Sequence, residues 1–247
     1  MGSDSSMKGI HLVVIGAHAM DAEVMAGGLI AKVTKLGHKA TIIHMTRGER
    51  GHPFKKPEEF AEQLEQEMVE AARVLGANVI WLGYPAGSLP IADVISEKIY
   101  HIIMEINPTQ IVTHWRGSWH PRHISTHYNV LNAVKKAVFN QKFQLNNLFY
   151  GENCEDLNGF NPTIYVDISD VKDIWFDALT KYELFRLSLN NTNNTNVIPY
   201  ANYYNIMSRI RGLEAGVLYA QAFMEERKLW NFLDAQGYTL LALGPRA

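Results

Sequence analysis

The chain has 247 residues, 47% hydrophobic and 19% charged, with a formal net charge of −2. That is the balance of one soluble α/β domain, without the positive excess that nucleic acid or an anionic membrane would call for. No run of about 18 apolar residues is present, which excludes a membrane-spanning helix by sequence. The single cysteine, Cys154, excludes an internal disulfide framework and fits a reducing cytoplasm. Residues 1–6 lack the basic and apolar parts of a signal peptide and read as a tail, leaving residues 7–247 as one domain.

In chain order, Ile10–Ile15 reads as a buried parallel strand, and Gly16 breaks it before a helix that runs from Glu23. Lys39–His44 is the second strand and leads into the glycine-punctuated loop Thr46–Gly51. Pro57 opens a helix through Leu75, which Gly76 ends. Asn78–Leu82 is the third strand, Ile91–Ile106 a helix, and Gln110–His114 the fourth strand. A helical stripe follows through Ile124, Tyr128, Leu131, Val134 and Val138. Leu148–Tyr150 and Thr163–Asp167 read as strands, Val171–Leu187 as a helix, Ser188–Asn202 as a surface loop, and Tyr203–Glu226 as the last long helix. Strands alternating with helices predict a doubly wound, mostly parallel sheet with helices on both faces, Rossmann-like in class.

Two loops at strand ends carry the chemistry. His18 and Asp21 lie three residues apart in the turn after the first strand, where open α/β sheets bind ligands. His120-Pro-Arg-His123 follows the fourth strand, with Pro121 favoured at the first helical position. A His/Asp/His set with an open fourth position suits catalytic zinc; iron or manganese is compatible with the same N and O donors. Each histidine alone has a bland reading as a cap or surface residue.

Ala17-His-Ala-Met-Asp-Ala-Glu23 with Gly27-Gly28, together with His120-Pro-Arg-His123, resembles the PIG-L/LmbE-type zinc-dependent N-acetylglucosaminyl deacetylases. The loops Thr46–Gly51 and Leu82–Gly87, and Arg211–Gly216 leading into Tyr219–Phe223, are similar as well, so the likeness runs almost end to end. It implies an LmbE-type fold, one zinc ion held by His18, Asp21 and His123, and His120 as the group that stabilises charge on the attacked carbonyl. The departures are specific. The family's general-base aspartate falls on Met20, the aspartate within H-P-D-H on Arg122, and that of the L-G-x-P-D-G loop on Ala86.

Glu49, on the loop after the second strand, is the candidate replacement base; the bland alternative is a turn residue. Glu23 is expected to orient a neighbouring ligand. Arg47, Arg116 and Arg122 all fall on crevice loops and suit an anionic small-molecule substrate. Trp119 and Tyr84 either stack on a sugar face or close the loops, as does Trp115. His127, His11, His38, His44 and Cys154 read as structural. The expected activity is hydrolysis of an N-acyl group, a linear amide C–N bond, on a small polar molecule such as an amino sugar or glycoside. The alternatives are a zinc-dependent hydratase of an unsaturated oxo-carboxylic acid, which the resemblance also allows, and a catalytically weak metal-binding relative. Neither nucleic acid nor membrane is an expected partner, and a homo-oligomer is compatible with the sequence.

Overall fold

The computed structural model describes residues 9–140, 147–190 and 198–226. The expected tail, residues 1–6, and residues 191–197 of the asparagine-rich segment lie outside them. Five strands and four helices alternate as the spacing predicts: β1 (His11–Gly16), α1 (Asp21–Lys35), β2 (Lys39–Thr46), α2 (Pro57–Leu75), β3 (Asn78–Tyr84), α3 (Asp93–Ile106), β4 (Gln110–Thr113), α4 (Pro121–Phe139) and β5 (Asn147–Gly151). The remaining elements are β6 (Ile164–Asp167), α5 (Lys172–Leu179), α6 (Glu183–Asn190), α7 (Tyr200–Ala215) and β7 (Ala220–Glu225).

All seven strands join one sheet in the order β3-β2-β1-β4-β5-β7-β6. The first five run parallel, and β7 pairs antiparallel with β5 and β6. Because β1 has β2 on one side and β4 on the other, the winding reverses between β1 and β4, which opens a crevice at their carboxyl ends. The loop carrying His18 follows β1, and the loop carrying His120 follows β4.

The alternation of side chains along each strand divides the core in two. Leu12, Val14, Ile42 and Val112 pack on one face beneath α1, α2, α5 and α6. Val13, Ile15, Ile43 and Ile111 face the other way, against Ile95, Ile99 and Ile103 of α3 and Val130 and Val134 of α4. Helix α1 lies close on its neighbours because Gly27 has no side chain: a Cβ there would stand 2.3 Å from Trp175 Cδ1. Among the described residues, no helix is long and apolar enough to cross a membrane.

Two expected helices are corrected. The helix expected over Val171–Leu187 is two, α5 and α6, with a turn at Thr180–Tyr182. Arg186 Nη1 takes the freed carbonyls of Thr180 and Lys181 at 2.7 and 2.6 Å, and Tyr182 turns into the core. The helix expected over Tyr203–Glu226 starts at Tyr200 and stops at Gly216. That glycine adopts φ 74°, which suits a residue without a Cβ. The chain then enters β7, where pairing on both sides overrides the helical pattern.

Candidate metal and catalytic site

The crevice beyond β1 and β4 has a volume of about 470 Å³ and is walled by His18, Met20, Asp21, Arg50, His120 and Glu155, among others. Asp21 is the first residue of α1, and its carboxylate folds back on the preceding turn. Oδ2 accepts the His18 backbone N–H at 2.8 Å and lies 3.0 Å from His18 Nδ1. The turn needs Met20 in the left-handed region, at φ 79°, which is uncommon for a residue other than glycine. Gly48 of the next loop sits against this turn, where a Cβ would meet His18 Cβ at 2.9 Å. His44, on β2, holds the same turn from behind: its Nδ1 donates to the His18 carbonyl at 2.9 Å, and its Nε2 lies 3.2 Å from Glu23 Oε1. Burial opposes charge on His44, but the Glu23 carboxylate raises its pKa above the usual value.

His120 caps α4 with Pro121 behind it, and its Nδ1 accepts the Arg122 amide at 3.3 Å. The proton of a neutral ring is therefore on Nε2. Burial and the adjacent His123 and His18 hold this group neutral, with its pKa lowered to about 4. His123 is buried one turn on, with Nε2 3.3 Å from Asp21 Oδ2 and Nδ1 2.8 Å from Asp156 Oδ1. Burial pulls its pKa down, but Asp21 and Asp156 outweigh that and push it up to about 10.

Two sets of three residues place one donor atom each within 4.8 Å of one another: His18, His120 and His123, and Asp21, His114 and His123. Asp21 Oδ2 joins them, since it approaches both His18 and His123. The hydrogen bonds distinguish donor atoms already engaged from those still available, although His114 Nε2 also lies 3.4 Å from Asp21 Oδ2. His114 Nε2 receives the Ala17 amide at 3.0 Å, and its Nδ1 faces Asp156 Oδ2 at 2.6 Å, so neither nitrogen is free. His18, Asp21 and His123 keep donor atoms directed at one another, an N/O set whose chemistry fits a divalent cation of the zinc class.

The other expected site residues are dispersed. Glu49 does not line the crevice; its Oε1 accepts the Ala86 amide at 3.0 Å and ties the two loops together. Arg47 lines the crevice but is ion-paired with Glu65 and stacked 3.7 Å over Trp81. Arg122 also lines it, with its guanidinium spent on the carbonyls of Ala86 and Gly87 at 3.3 and 2.7 Å. Arg116 is turned away, over Trp115, and borders a separate cavity with Tyr150 and Glu226. Trp119 stands at the crevice mouth, 71% exposed. Tyr84 is outside the lining, beneath the Lys98 ammonium.

Sequence reasoning did not single out the loop after β5. Asn153 reaches Asp21 Oδ1 at 3.4 Å, and Glu155 Oε2 stands 3.4 Å from His123 Nε2. The Glu155 backbone is clamped by Asn153, Trp119 and Ser118, while its half-buried carboxylate receives no other hydrogen bond among the described residues. Burial, with Asp21 and Asp156 nearby, raises its pKa to about 7. Arg50 was missed too. It lines the crevice and has no ion pair or hydrogen bond among the described residues. The available signal was positional: Glu152–Asp156 follows the end of a parallel strand, as both recognised motifs do.

Residues 13–134 match the PIG-L family model, described as GlcNAc-PI de-N-acetylase. The chain belongs to the PIG-L family. It is 28% identical over 178 residues to a probable N-acetyl-alpha-D-glucosaminyl L-malate deacetylase 2 of Bacillus cereus, covering 68% of this chain and 80% of that one. The fold is similar to GalB, the 4-carboxy-2-hydroxymuconate hydratase of Pseudomonas putida KT2440, with TM-score 0.76 and 17% identity over 90% of this chain and 99% of that one. It is equally similar to the N,N'-diacetylchitobiose deacetylase of Pyrococcus horikoshii, with TM-score 0.74 and 19% identity over 94% and 88%. Family membership is consistent with the spatial convergence of the two histidine motifs.

Proposed function

We propose that the chain is a metal-dependent hydrolase that removes an N-acyl group from a small, sugar-related substrate, with His18, Asp21 and His123 as the ligands of one divalent ion. The carrying observation is the crevice itself. Three candidate ligand side chains, a neutral imidazole N–H and the Glu155 carboxylate, whose nearest partner is His123, converge there at the switch point of a PIG-L-family sheet. The deacetylase name of the Bacillus cereus relative supports the same chemistry.

A zinc-class ion held there would polarise the acyl oxygen and make water acidic enough to attack near neutral pH. The protein's own groups supply the rest. His120 Nε2–H donates to the acyl oxygen as negative charge develops on it. Glu155 accepts the proton of the attacking water while the new C–O bond forms. That proton is passed to the amide nitrogen as the C–N bond breaks, giving a carboxylic acid and an amine. Position 20 takes no part, because a thioether does not accept a proton at neutral pH.

Met20 in place of a carboxylate favours one second reading, addition of water to an unsaturated oxo-carboxylic acid, with the acid group on Arg50. One assay separates the two: the zinc-loaded protein is supplied with N-acetylglucosaminyl glycosides and, separately, with unsaturated oxo-dicarboxylates. Release of acetate supports the hydrolase. Loss of the conjugated chromophore without any acetate release from the glycosides overturns it in favour of hydration.

A further inference from the structure

Asp156 joins two imidazoles through one side chain. It is completely buried, with Oδ2 2.6 Å from His114 Nδ1 and Oδ1 2.8 Å from His123 Nδ1. The two rings stack, 3.9 Å apart and 28° from parallel. We propose that Asp156 is a positioning residue that fixes the tautomer of His123, so that a bare Nε2 is presented to the cation. The proposal rests on the reading of His123 as a metal ligand.

The protonation pattern can be followed atom by atom from the end of β1. The Ala17 backbone N–H points at His114 Nε2, 3.0 Å away. Asp21 Oδ2 lies farther off, 3.4 Å from the same nitrogen; because a backbone amide donates only, the closer bond places the lone pair on Nε2 and the His114 proton on Nδ1. That proton goes to Asp156 Oδ2. The other oxygen, Oδ1, faces His123 Nδ1 and accepts its proton. With that proton held on Nδ1, Nε2 is the nitrogen left to bind, and it lies 3.3 Å from Asp21 Oδ2. Ligating histidines generally need such a partner on the second ring nitrogen. What is particular here is that one carboxylate serves two rings and that a main-chain amide sets the first of them.

Only a carboxylate can serve both rings, since it accepts on two oxygens; the amide of asparagine accepts on one atom and donates from the other. In Asp156→Asn the carbonyl oxygen should go to His114, whose proton is locked on Nδ1 by Ala17. The NH₂ group then faces His123 Nδ1, and the His123 proton is driven to Nε2, the nitrogen the metal needs. The substitution conserves volume, so the fold should be kept while the ligand is lost.

The experiment is a zinc titration against a competing chromogenic chelator, on wild type, Asp156→Asn, and the double variant His114→Met/Asp156→Asn. Asp156→Asn should raise the zinc Kd by about 10–100-fold, the range for loss of such outer partners. In the double variant no ring competes for the asparagine carbonyl, which can turn to His123 Nδ1, and most of the lost affinity should return. An unchanged Kd in Asp156→Asn, or a double variant that binds no better than the single one, overturns the proposal. Should either variant fail to fold, ¹⁵N spectra of the zinc-loaded wild type decide: Nδ1–H on both His114 and His123 supports it, and Nε2–H on either overturns it. If the wild type binds no zinc, or His123→Ala leaves its affinity unchanged, the ligand assignment falls together with the proposal. Tight zinc binding through His123 with no effect of Asp156→Asn removes the proposal alone.

Discussion

The Tyr182 hydroxyl donates to Glu23 Oε1 at 2.7 Å, joining residues 159 positions apart in a buried environment. Glu23 also lies 3.2 Å from His44 Nε2, and His44 holds the His18 carbonyl, so this bond is the far end of a chain that fixes the turn carrying His18 and Asp21. The second oxygen of Glu23 already has no partner among the described residues. Removing the hydroxyl in Tyr182→Phe takes away one of the few donors that balance a buried carboxylate. The expected loss is about 1–3 kcal/mol, or roughly 2–4 °C of Tm for each kcal/mol in a chain of this size. Zinc stoichiometry should stay near one. A Tm equal to wild type would show that Glu23 does not depend on this donor.

In the proposed mechanism Glu155, rather than Glu49, accepts the proton of the attacking water. Glu49→Gln retains an oxygen for the Ala86 amide, so the loop clasp persists and turnover should change less than about threefold. Glu155→Gln keeps the shape but cannot take a proton, and should lower kcat by roughly 10²–10⁴-fold with metal content intact. Steady-state kinetics on both variants, alongside elemental analysis, distinguish the two carboxylates. The reverse ranking would return the base to Glu49.

These two residues also show what was legible in the sequence. The motif loops were readable because His-x-x-Asp and His-Pro-Arg-His each concentrate rare residue types at a strand end. The sheet was readable because each parallel strand is a continuous apolar run. Glu155 and Asp156 sit in Glu152-Asn-Cys-Glu-Asp156, where no periodicity separates solvated acids from those folded inward against His123. Arg47, Arg116 and Arg122 looked equivalent as loop cations. What distinguishes them is a partner elsewhere: Glu65 and Trp81 for one, Trp115 for another, two main-chain carbonyls for the third. Helix α7 and β7 were read as one helix because the tertiary pairing of β7 is a long-range effect that local pattern does not encode.

Any preference for anions is therefore expected to depend on Arg50. A substrate bearing a carboxylate should bind better than its neutral amide, and Arg50→Gln should weaken that preference by about 1–3 kcal/mol. Arg116→Gln, in a different cavity, serves as the control and should leave it unchanged. Ligand titrations with an acid–amide pair measure both effects. Equal sensitivity to the two substitutions would place the anion outside the crevice.

Zinc binding should be steeply pH-dependent, and so should the stability of the zinc-free protein. His123 is buried, which disfavours its charge, yet Asp21 and Asp156 hold its pKa up at about 10. The folded value is above the unfolded one of about 6.5, so the charged ring stabilises the zinc-free fold fully below pH 6.5. That contribution fades as pH rises toward 10. Zinc has to displace the same proton, so its apparent affinity should rise by up to about tenfold per pH unit across that window. Thermal unfolding of zinc-free protein from pH 6 to 10 should show a falling Tm, in contrast to a flatter profile with zinc bound. A zinc-free Tm that rises over this interval would contradict the ion-pair description.

The most informative substitution is Met20→Asp. Met20 is 6% exposed, lines the crevice and stands in the left-handed region at φ 79°. Aspartate is several times commoner there than an unbranched apolar residue, so the backbone cost of the turn should fall. Against this, a buried thioether packed in the core is exchanged for a carboxylate that must be desolvated. The net stability change is the sum of these opposing terms, and Met20→Gly isolates the first because it relieves φ without adding charge. The chemical consequence is separable from both. A carboxylate at position 20 supplies a second proton acceptor facing the crevice, and deacetylation of simple N-acetyl amino sugars should rise by about 10²-fold if the wild type is limited by proton transfer. The gain should survive Glu155→Gln, since the new group replaces the role assigned to Glu155. A Met20→Asp protein that binds zinc but gains nothing, and loses everything with Glu155→Gln, would mean that position 20 is too far from the attacking water. If Met20→Gly gains as much as Met20→Asp, the effect belongs to relief of the backbone and not to the carboxylate.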